Sequence, residues 1–358
     1  PQANSSYFFN TSEFRYIVFP VIYSFIFALG LPANLAALWF LIRRNSNKEL
    51  SEVKIYMINL TAADLLFIIF LPLWIKYYIQ EGNWTSSSFL CSLNGSLFYI
   101  NTYSSVYFLA LISFNRYRAV VHPLRAAQLR QKMRGFIIST GIWIVTIAWS
   151  LPVLIYHKEH LNRSNNSNKF RCFENYQDMN SVFKLKVTHS LVLICFVIAF
   201  GVVIVTCILI LQVLSATQQA LGSAQRNLKN RAFRMVIAVM MIFIICFVPH
   251  HLLQVPWLLL VLDVWKTEDC KFRKNINDIH QVTSCLMSIN CILDPIMYCF
   301  LTTNFKQYIT QFMQTCRALN APLSKETPTK EERSSSSLTS CGSNYQLTIV
   351  KLDEQDLG

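Results

Sequence analysis

Two aspartates, Asp64 and Asp294, each interrupt a stretch that otherwise consists mostly of apolar residues. A carboxylate in such surroundings is costly unless it is protonated, paired or bound to a cation. Two of them in one bundle would share a proton or hold Na⁺ through oxygen ligands, with Ser105 and Asn290 as further members of a sodium or proton pocket. The alternative is that each polar group only hydrogen-bonds across helices and fixes packing.

A second group of candidates combines histidine, glutamine and aromatic side chains near the other ends of the apolar stretches. Phe247, His250, Gln254 and Trp257 recur at intervals of three and four residues, which places them on one helical face. The alternative for any single residue is a position in an interfacial aromatic belt. No His/Cys spacing indicates a closed zinc site, so no metal is predicted. The candidates for ligand contact are Trp74, Phe98, Tyr103, Glu174, His189, His250, His251, Gln254, Trp257, His280 and Gln281.

The elements that position these residues follow from composition. Of 358 residues, 53% are hydrophobic and 14% are charged, against about 25% charged residues in soluble domains. Seven stretches are long enough to cross about 30 Å of hydrocarbon as helices. They are residues 16–42, 55–75, 91–115, 135–156, 187–214, 235–262 and 279–304. The sequence therefore predicts an all-α membrane protein, a seven-transmembrane helix bundle over residues 16–303, and argues against a soluble enzyme.

The loops indicate which end of the bundle faces outside. Most of the Lys and Arg residues behind the net charge of +13 fall opposite the N-terminal segment, residues 1–15, in agreement with the positive-inside rule. This predicts a multi-pass plasma-membrane protein with an extracellular N-terminus, whose basic inner face meets anionic membrane lipid rather than nucleic acid. Cys91 and Cys172 are predicted to lie outside and can pair, which leaves Cys270 as a third outer cysteine. The predicted glycosylation sites are Asn4, Asn10, Asn83, Asn162 and Asn165.

Short motifs occur in order along the spans. They are Asn34, residues 60–64, Asn115-Arg116-Tyr117, Trp143, Cys246-Phe247-Val248-Pro249 and Asp294-Pro295-x-x-Tyr298. With these motifs the chain resembles a rhodopsin-like (class A) G protein-coupled receptor from Tyr16 to about Arg317. The resemblance implies a heterotrimeric G protein as partner, a loop disulfide between Cys91 and Cys172, and a set of activation residues. The implied activation switch is Arg116, Tyr117, Phe247, Pro249, Asp294, Pro295 and Tyr298.

Three positions depart from the common pattern of that family. Asn115 stands where most members have Asp, Phe247 replaces a Trp, and Asp294 replaces an Asn. The family's receptors for an ether phospholipid share these three departures. They also resemble this chain at residues 12–16 and 244–251. Because residue 115 is Asn and not Asp, Arg116 lacks the adjacent carboxylate that usually restrains it.

The ligand class is narrowed by what the third span lacks. No carboxylate lies between Cys91 and Asn115, so a biogenic amine is excluded. A cationic outer rim suits a phosphate, aromatic residues with Glu174 could hold a quaternary ammonium, and apolar helix faces would take an alkyl chain. The resemblance implies a zwitterionic ether phospholipid, while the residues alone allow a lysophospholipid or a fatty acid equally, with a nucleotide as the nearest competitor. The rim residues are Lys76, Arg171, Lys184, Lys186 and the histidines.

Rival classes of protein predict features that the sequence does not show. A transporter or channel would carry inverted repeats and polar residues along a pore. An enzyme would need a nucleophile and a base at usable spacing. Neither pattern stands out in the sequence.

The C-terminal region carries candidates for regulation. Residues 304–317 repeat apolar positions at helical spacing, which predicts an amphipathic eighth helix on the membrane with Cys316 as a palmitoylation site. Residues 318–358 are rich in Ser and Thr and are predicted to be a disordered cytoplasmic tail that receptor kinases modify and arrestin then binds. A solvated tail with no such role is the alternative. The predicted phosphorylation sites are Ser334, Ser335, Ser336, Ser337, Thr339 and Ser340.

Overall fold

The structure is a computed structural model that describes residues 12–43, 51–121, 131–155, 161–163, 169–172, 179–216, 223–261, 264–265 and 269–301. All of them belong to one compact unit, Pro1–Thr310. The helices are α1 (Arg15–Arg43), α2 (Glu52–Ile79), α3 (Ser88–Val121), α4 (Gln131–Ile155), α5 (Met179–Ala216), α6 (Ser223–Ile242), α7 (Val248–Val261), α8 (Cys270–Met287) and α9 (Asn290–Leu301). Two short antiparallel strands, β1 (Leu161–Arg163) and β2 (Phe170–Cys172), lie between α4 and α5.

Six helical segments of the described chain are long and apolar enough to cross a membrane. Five of them are α1 to α5, and the other, which we call the sixth segment, runs from α6 through a π-helical turn, Phe243–Phe247, into α7. We call α8 and α9 together the seventh segment. The first six predicted spans therefore correspond to single continuous segments.

The seventh predicted span is not one helix, which corrects the sequence-based prediction. α8 and α9 are separated at Ser288 and Ile289. There the backbone N–H groups donate to carbonyls three residues earlier instead of four. Ser288 N donates to Cys285 O and Ile289 N donates to Leu286 O, both at 3.1 Å. A change in hydrogen-bond spacing leaves the apolar composition intact, so hydropathy alone does not reveal it.

The seventh segment also begins earlier than predicted, at Cys270 instead of residue 279. Asp269 caps it, since its Oδ1 accepts hydrogen bonds from Lys271 N at 2.9 Å and Phe272 N at 3.2 Å. The polar first turns project beyond the apolar stretch that defined the predicted span. A side-chain cap rather than hydrophobicity therefore fixes this helix start.

The irregularity of the sixth segment lies just before Pro249, a residue that commonly kinks a helix. Pro249 has no N–H to donate, and its ring crowds the carbonyl of the preceding turn. Val248 N instead donates to Phe243 O, which widens the helix into the π turn. The geometry therefore differs from a simple proline kink, because the backbone is rearranged over Phe243–Phe247.

The apolar core lies where α2, α3, α5 and α6 meet. Leu60, Phe108, Val203, Phe243 and Phe247 are all completely buried there. Many apolar residues on the outer surfaces of the helices are exposed instead. This distribution is typical of a bundle whose outer surface faces lipid.

Polar side chains within the bundle form hydrogen bonds between helices. Asn34 Nδ2 of α1 donates to Cys291 O of α9 at 2.7 Å. Trp143 Nε1 of α4 donates to Asn59 Oδ1 of α2 at 2.8 Å. Both motif residues thus join helices that are distant in sequence.

A covalent bond constrains the end of the bundle at which α1 begins, which we call the outer end, the opposite end being the inner end. A disulfide joins Cys91 of α3 to Cys172 of β2. Nearby, Lys169 Nζ lies 2.6 Å from Glu81 Oε2 on the surface, and this hydrogen bond and the charge of Lys169 lower the pKa of the Glu81 carboxyl. The disulfide holds β2 against the outer end of α3.

Two glycines of α4 provide a matched test of how closely α4 packs against α2. A Cβ on Gly135 would lie 2.9 Å from Ile55 Cδ1 and 3.4 Å from Glu52 Cα, whereas a Cβ on Gly141 would have no atom within 4 Å. Gly135→Val should lower the free energy of unfolding by about 1–3 kcal/mol through overpacking. Gly141→Val should leave it nearly unchanged. Thermal unfolding of the detergent-solubilised protein measures both, and equal midpoints would contradict the α2–α4 contact.

Candidate functional site

The outer part of the bundle brings four histidines together, and we call His189, His250, His251 and His280 the histidine cluster. The ring of His250 lies 4.7 Å from that of His280 and 5.4 Å from that of His251. Trp257 stacks on His280 at 4.2 Å, with the planes 5° apart. All of these side chains except His189 are buried. Helices α5, α7 and α8 thus converge on one group of rings.

Hydrogen bonds fix the protonation pattern of two of these rings. His251 Nδ1 lies 2.8 Å from Phe247 O, and since a carbonyl only accepts, this nitrogen carries the proton. Gln254 Nε2 lies 2.8 Å from His189 Nδ1, which therefore accepts. Gln254 Nε2 also donates to His189 O at 3.1 Å, so α7 is held against α5 by one side chain.

The histidine cluster retains unused hydrogen-bonding capacity. His251 Nε2, His280 Nε2 and Gln254 Oε1 are buried and have no hydrogen-bond partner within the described residues. Tyr103 of α3 faces His251 edge-on at 6.5 Å. Because buried polar atoms are normally paired, these atoms form a site that a polar ligand group or ordered water would complete.

Other predicted ligand residues lie elsewhere or outside the described part. Trp74 of α2 packs in an aromatic group, with its ring 6.1 Å from that of Trp84, which follows α2. Phe98 packs against Phe67 of α2 at 6.0 Å. Glu174 lies outside the described residues. Two of the predicted contacts are therefore positioned with α2 rather than with the histidine cluster.

The N-terminal end of α1 reaches the seventh segment through a residue that was not predicted. Arg15 is 2% exposed, and its Nη1 donates to Gln281 Oε1 at 3.4 Å. Arg15 Nη2 and Arg171 Nη1 both donate to Tyr16 OH, at 2.8 Å and 2.6 Å. A charged residue directly before an apolar span was the available signal for Arg15.

The two aspartates lie in a buried polar layer deeper in the bundle. Asp64 Oδ1 accepts a hydrogen bond from Asn101 Nδ2 at 2.7 Å, and Asn101 was not among the predicted pocket residues. Asp64 Oδ2, both carboxylate oxygens of Asp294 and Ser105 Oγ are buried without a hydrogen-bond partner in the described chain, as is Asn290 Nδ2. These orphaned oxygens fit a cation with oxygen ligands or a shared proton. No three His, Cys, Asp or Glu side chains among the described residues are grouped to hold a metal ion.

The predicted activation residues lie on α3, in the sixth segment and on α9. Tyr298 OH lies 2.8 Å from Thr61 Oγ1 and is therefore attached to α2. Arg116 is half-buried, and its Nε has no hydrogen-bond partner within the described residues. Tyr117 packs against the apolar contact of α5 with α6. Pro249 lies in the first turn of α7 and Pro295 lies within α9.

The predicted modification sites are only partly described. Asn83 is half-buried and its Oδ1 accepts a hydrogen bond from Phe170 N at 3.0 Å. Asn162 lies in β1 opposite Arg171. The residues outside the described part are Asn4, Asn10, Asn165, Cys316, Ser334, Ser335, Ser336, Ser337, Thr339 and Ser340, together with the predicted eighth helix and tail.

Comparison with known proteins identifies the class. The family of 7 transmembrane receptors (rhodopsin family) matches residues 33–298, and the chain belongs to this family. It is a family of receptors and not of enzymes. The chain is 44% identical over 308 residues to the platelet-activating factor receptor of Bos taurus, covering 86% of this chain and 88% of the relative. It is 41% identical over 309 residues to that of Homo sapiens, covering 86% and 89%. Lysophosphatidic acid receptor 6 of Gallus gallus is 32% identical over 289 residues, covering 80% and 91%.

The buried polar layer predicts a dependence on sodium. If Na⁺ binds between Asp64 and Asp294, replacing Na⁺ by a large organic cation at constant ionic strength should change agonist affinity by about fivefold or more, the lower range of allosteric coupling. Asp294→Asn should remove most of that change, and Glu81→Gln, which alters an exposed carboxylate far from the layer, should keep it. Radioligand competition on membranes measures the affinity. Equal sodium dependence in wild type and Asp294→Asn would favour a packing role instead.

Proposed function

We propose that this chain is a cell-surface receptor for platelet-activating factor, an ether phospholipid, and that it activates heterotrimeric G proteins and phospholipase C/calcium signalling. The observation that carries the proposal is the 41–44% identity to platelet-activating factor receptors over 86% of the chain. The geometry of the outer site supports it, since buried polar atoms with unused hydrogen-bonding capacity lie beside aromatic rings.

The chemistry of the histidine cluster suits a zwitterionic headgroup. His280 Nε2, where it carries the proton of its ring, can donate to a phosphate oxygen, and Gln281, whose Oε1 accepts from Arg15, can add an amide donor. The faces of Trp257 and Tyr103 can attract a quaternary ammonium. An alkyl chain would lie against apolar surfaces of the bundle. We therefore assign ligand contact to these residues and keep Trp74, Phe98 and Glu174 as candidates for the chain or headgroup.

Activation follows from coupling between the outer site and the inner face. The ligand would contact α7 and α8 and would favour a state in which the inner end of the sixth segment swings outward. The π turn at Phe243–Phe247 lies between the histidine cluster and α6, where a change in helix direction requires few broken hydrogen bonds. In the outward state Arg116 would be free to contact the G protein.

Topology and regulation complete the proposal. The N-terminus lies outside the plasma membrane, the basic inner loops face the cytoplasm, and glycans attach to the outer sequons. Receptor kinases phosphorylate the Ser/Thr-rich tail, arrestin binds it, and Cys316 is palmitoylated. Membrane lipid surrounds the bundle. The buried polar layer around Asp64 and Asp294 holds an allosteric Na⁺ or a shared proton.

A second candidate ligand class is another lysophospholipid. The 32% identity to lysophosphatidic acid receptor 6 over 80% of the chain favours it over a nucleotide. Lysophosphatidic acid, the lipid in that relative's name, carries a phosphate and an acyl chain but lacks the quaternary ammonium.

The ligand assignment is tested by inositol-phosphate accumulation in cells that express the full chain. Platelet-activating factor should evoke a saturable response, its lyso form a much weaker one, and nucleotides none. A response to lysophosphatidic acid alone would overturn the assignment in favour of the second candidate.

Variants locate that response in the outer site. His250→Ala and Gln281→Ala should each raise the half-maximal agonist concentration about tenfold or more, because a hydrogen bond to a charged group contributes roughly 1.5–3 kcal/mol. Glu81→Gln on the outer surface serves as the control and should respond as wild type. Surface expression is measured in parallel, and unchanged potency in both site variants would refute the pocket.

Arg116 is predicted to act after ligand binding. Arg116→Ala should retain saturable agonist binding but lose most of the inositol-phosphate response, because the guanidinium contacts the G protein and not the ligand. Binding and signalling are measured on the same cells at matched surface expression. Full signalling by Arg116→Ala would contradict the assigned role.

A further inference from the structure

A buried carboxylate at the inner end of α2 was not among the predicted residues. Glu52 lies in the first turn of α2, and its side chain is 5% exposed. It accepts hydrogen bonds from Arg134 Nε and Nη2, both at 3.0 Å, and from Tyr56 OH at 2.9 Å. The two parallel bonds from one guanidinium form the bidentate arrangement that is strongest between Arg and a carboxylate.

The same carboxylate faces the inner end of α3. Arg118 Nη1 lies 3.7 Å from Glu52 Oε2. Asn115 is close enough to interact with the Glu52 carboxyl group as well. Glu52 thus pairs with Arg118, two positions after Arg116, and lies near Asn115, directly before it, while the motif around Arg116 carries no acid of its own.

The charge pattern of the inner face makes this carboxylate distinctive. Neither residues 116–134 nor residues 215–234 contain an Asp or a Glu, although both stretches are rich in Arg and Lys. Arg118 and Arg134, the two cations that contact Glu52, therefore have no acid within these two stretches to pair with. Glu52 is the buried member of this network, whereas the side chains of Arg118 and Arg134 are 22% and 38% exposed. Removing either arginine therefore leaves a desolvated carboxylate without that partner.

The backbone geometry holds α4 close to this group. Gly135 follows Arg134, and a Cβ at Gly135 would lie 3.5 Å from Glu52 Cγ. The close approach of α4 places the Arg134 guanidinium over the carboxylate. Helices α2, α3 and α4 therefore meet at the Glu52 carboxylate on the inner face.

We propose that Glu52 is a positioning residue for G-protein activation: it supplies from α2 the restraining carboxylate that position 115 lacks, and it holds the inner ends of α3 and α4 in the state with low activity. Arg116 is restrained indirectly, through Asn115 and Arg118 on the same helix end. The proposal rests on the proposed function as a G-protein-activating receptor.

Neutralising the carboxylate tests this role. Glu52→Gln in the full chain should raise ligand-free inositol-phosphate accumulation at least about threefold per surface receptor, because a modest loss of restraint shifts the population of the active state. Agonist potency should rise in parallel. Glu81→Gln, which removes an exposed carboxylate from the outer surface, should change neither quantity.

A charge exchange separates positioning from mere folding. Arg134→Glu alone should also raise ligand-free signalling, and the double variant Glu52→Arg with Arg134→Glu should return it toward wild type. A residue that only stabilises the fold would lower surface expression and total response together without raising ligand-free signalling per receptor. That result, or no rescue by the double variant, would overturn the proposal.

A second measurement needs neither ligand nor G protein. Amide hydrogen exchange on the purified proteins should be faster in residues 115–121 and 131–135 of Glu52→Gln than of wild type, with unchanged exchange around the histidine cluster. Equal exchange at the inner ends would overturn the restraint. The two proposals can fail separately. If the wild-type chain gives no response to platelet-activating factor but exchange is faster in Glu52→Gln, the proposed ligand is refuted and the role of Glu52 remains supported.

Discussion

The structure depends on one constraint, namely that a polar side chain inside a lipid-surrounded bundle must find its partner on another helix. Asn34 reaches the backbone of Cys291, Trp143 reaches Asn59, and Asp64 binds Asn101. Each of these bonds joins two helices that apolar packing alone would leave free to slide or rotate. Since hydrocarbon offers no hydrogen bonds, these pairs fix which faces of the helices meet.

The proposed function is assigned to the regions where this pairing is incomplete. The histidine cluster and the layer around Asp294 both contain buried polar atoms without partners in the described chain. The sixth and seventh segments pass both regions, and each contains a backbone irregularity, at Phe243–Phe247 and at Ser288. A ligand that completes the outer pairs can therefore bias the helix directions that determine the inner face.

The sequence was most informative where a physical rule has a fixed length or spacing. Bilayer thickness predicted the first six spans, and helical period predicted that His250, Gln254 and Trp257 share a face. The break at Ser288 was missed because it alters hydrogen-bond spacing without altering composition. Arg15, Asn101 and Glu52 were missed because their importance comes from partners far along the chain, which one sequence does not pair.

The most direct test of the central claim is the reciprocity of ligand and G-protein binding. Equilibrium binding of radiolabelled platelet-activating factor to the purified chain in nanodiscs is measured with and without nucleotide-free heterotrimeric G protein. We expect saturable binding whose affinity increases by about fivefold or more when the G protein is present, because both partners favour the same state. Absence of saturable binding, or an affinity that the G protein leaves unchanged, would contradict the coupling of the outer site to the inner face.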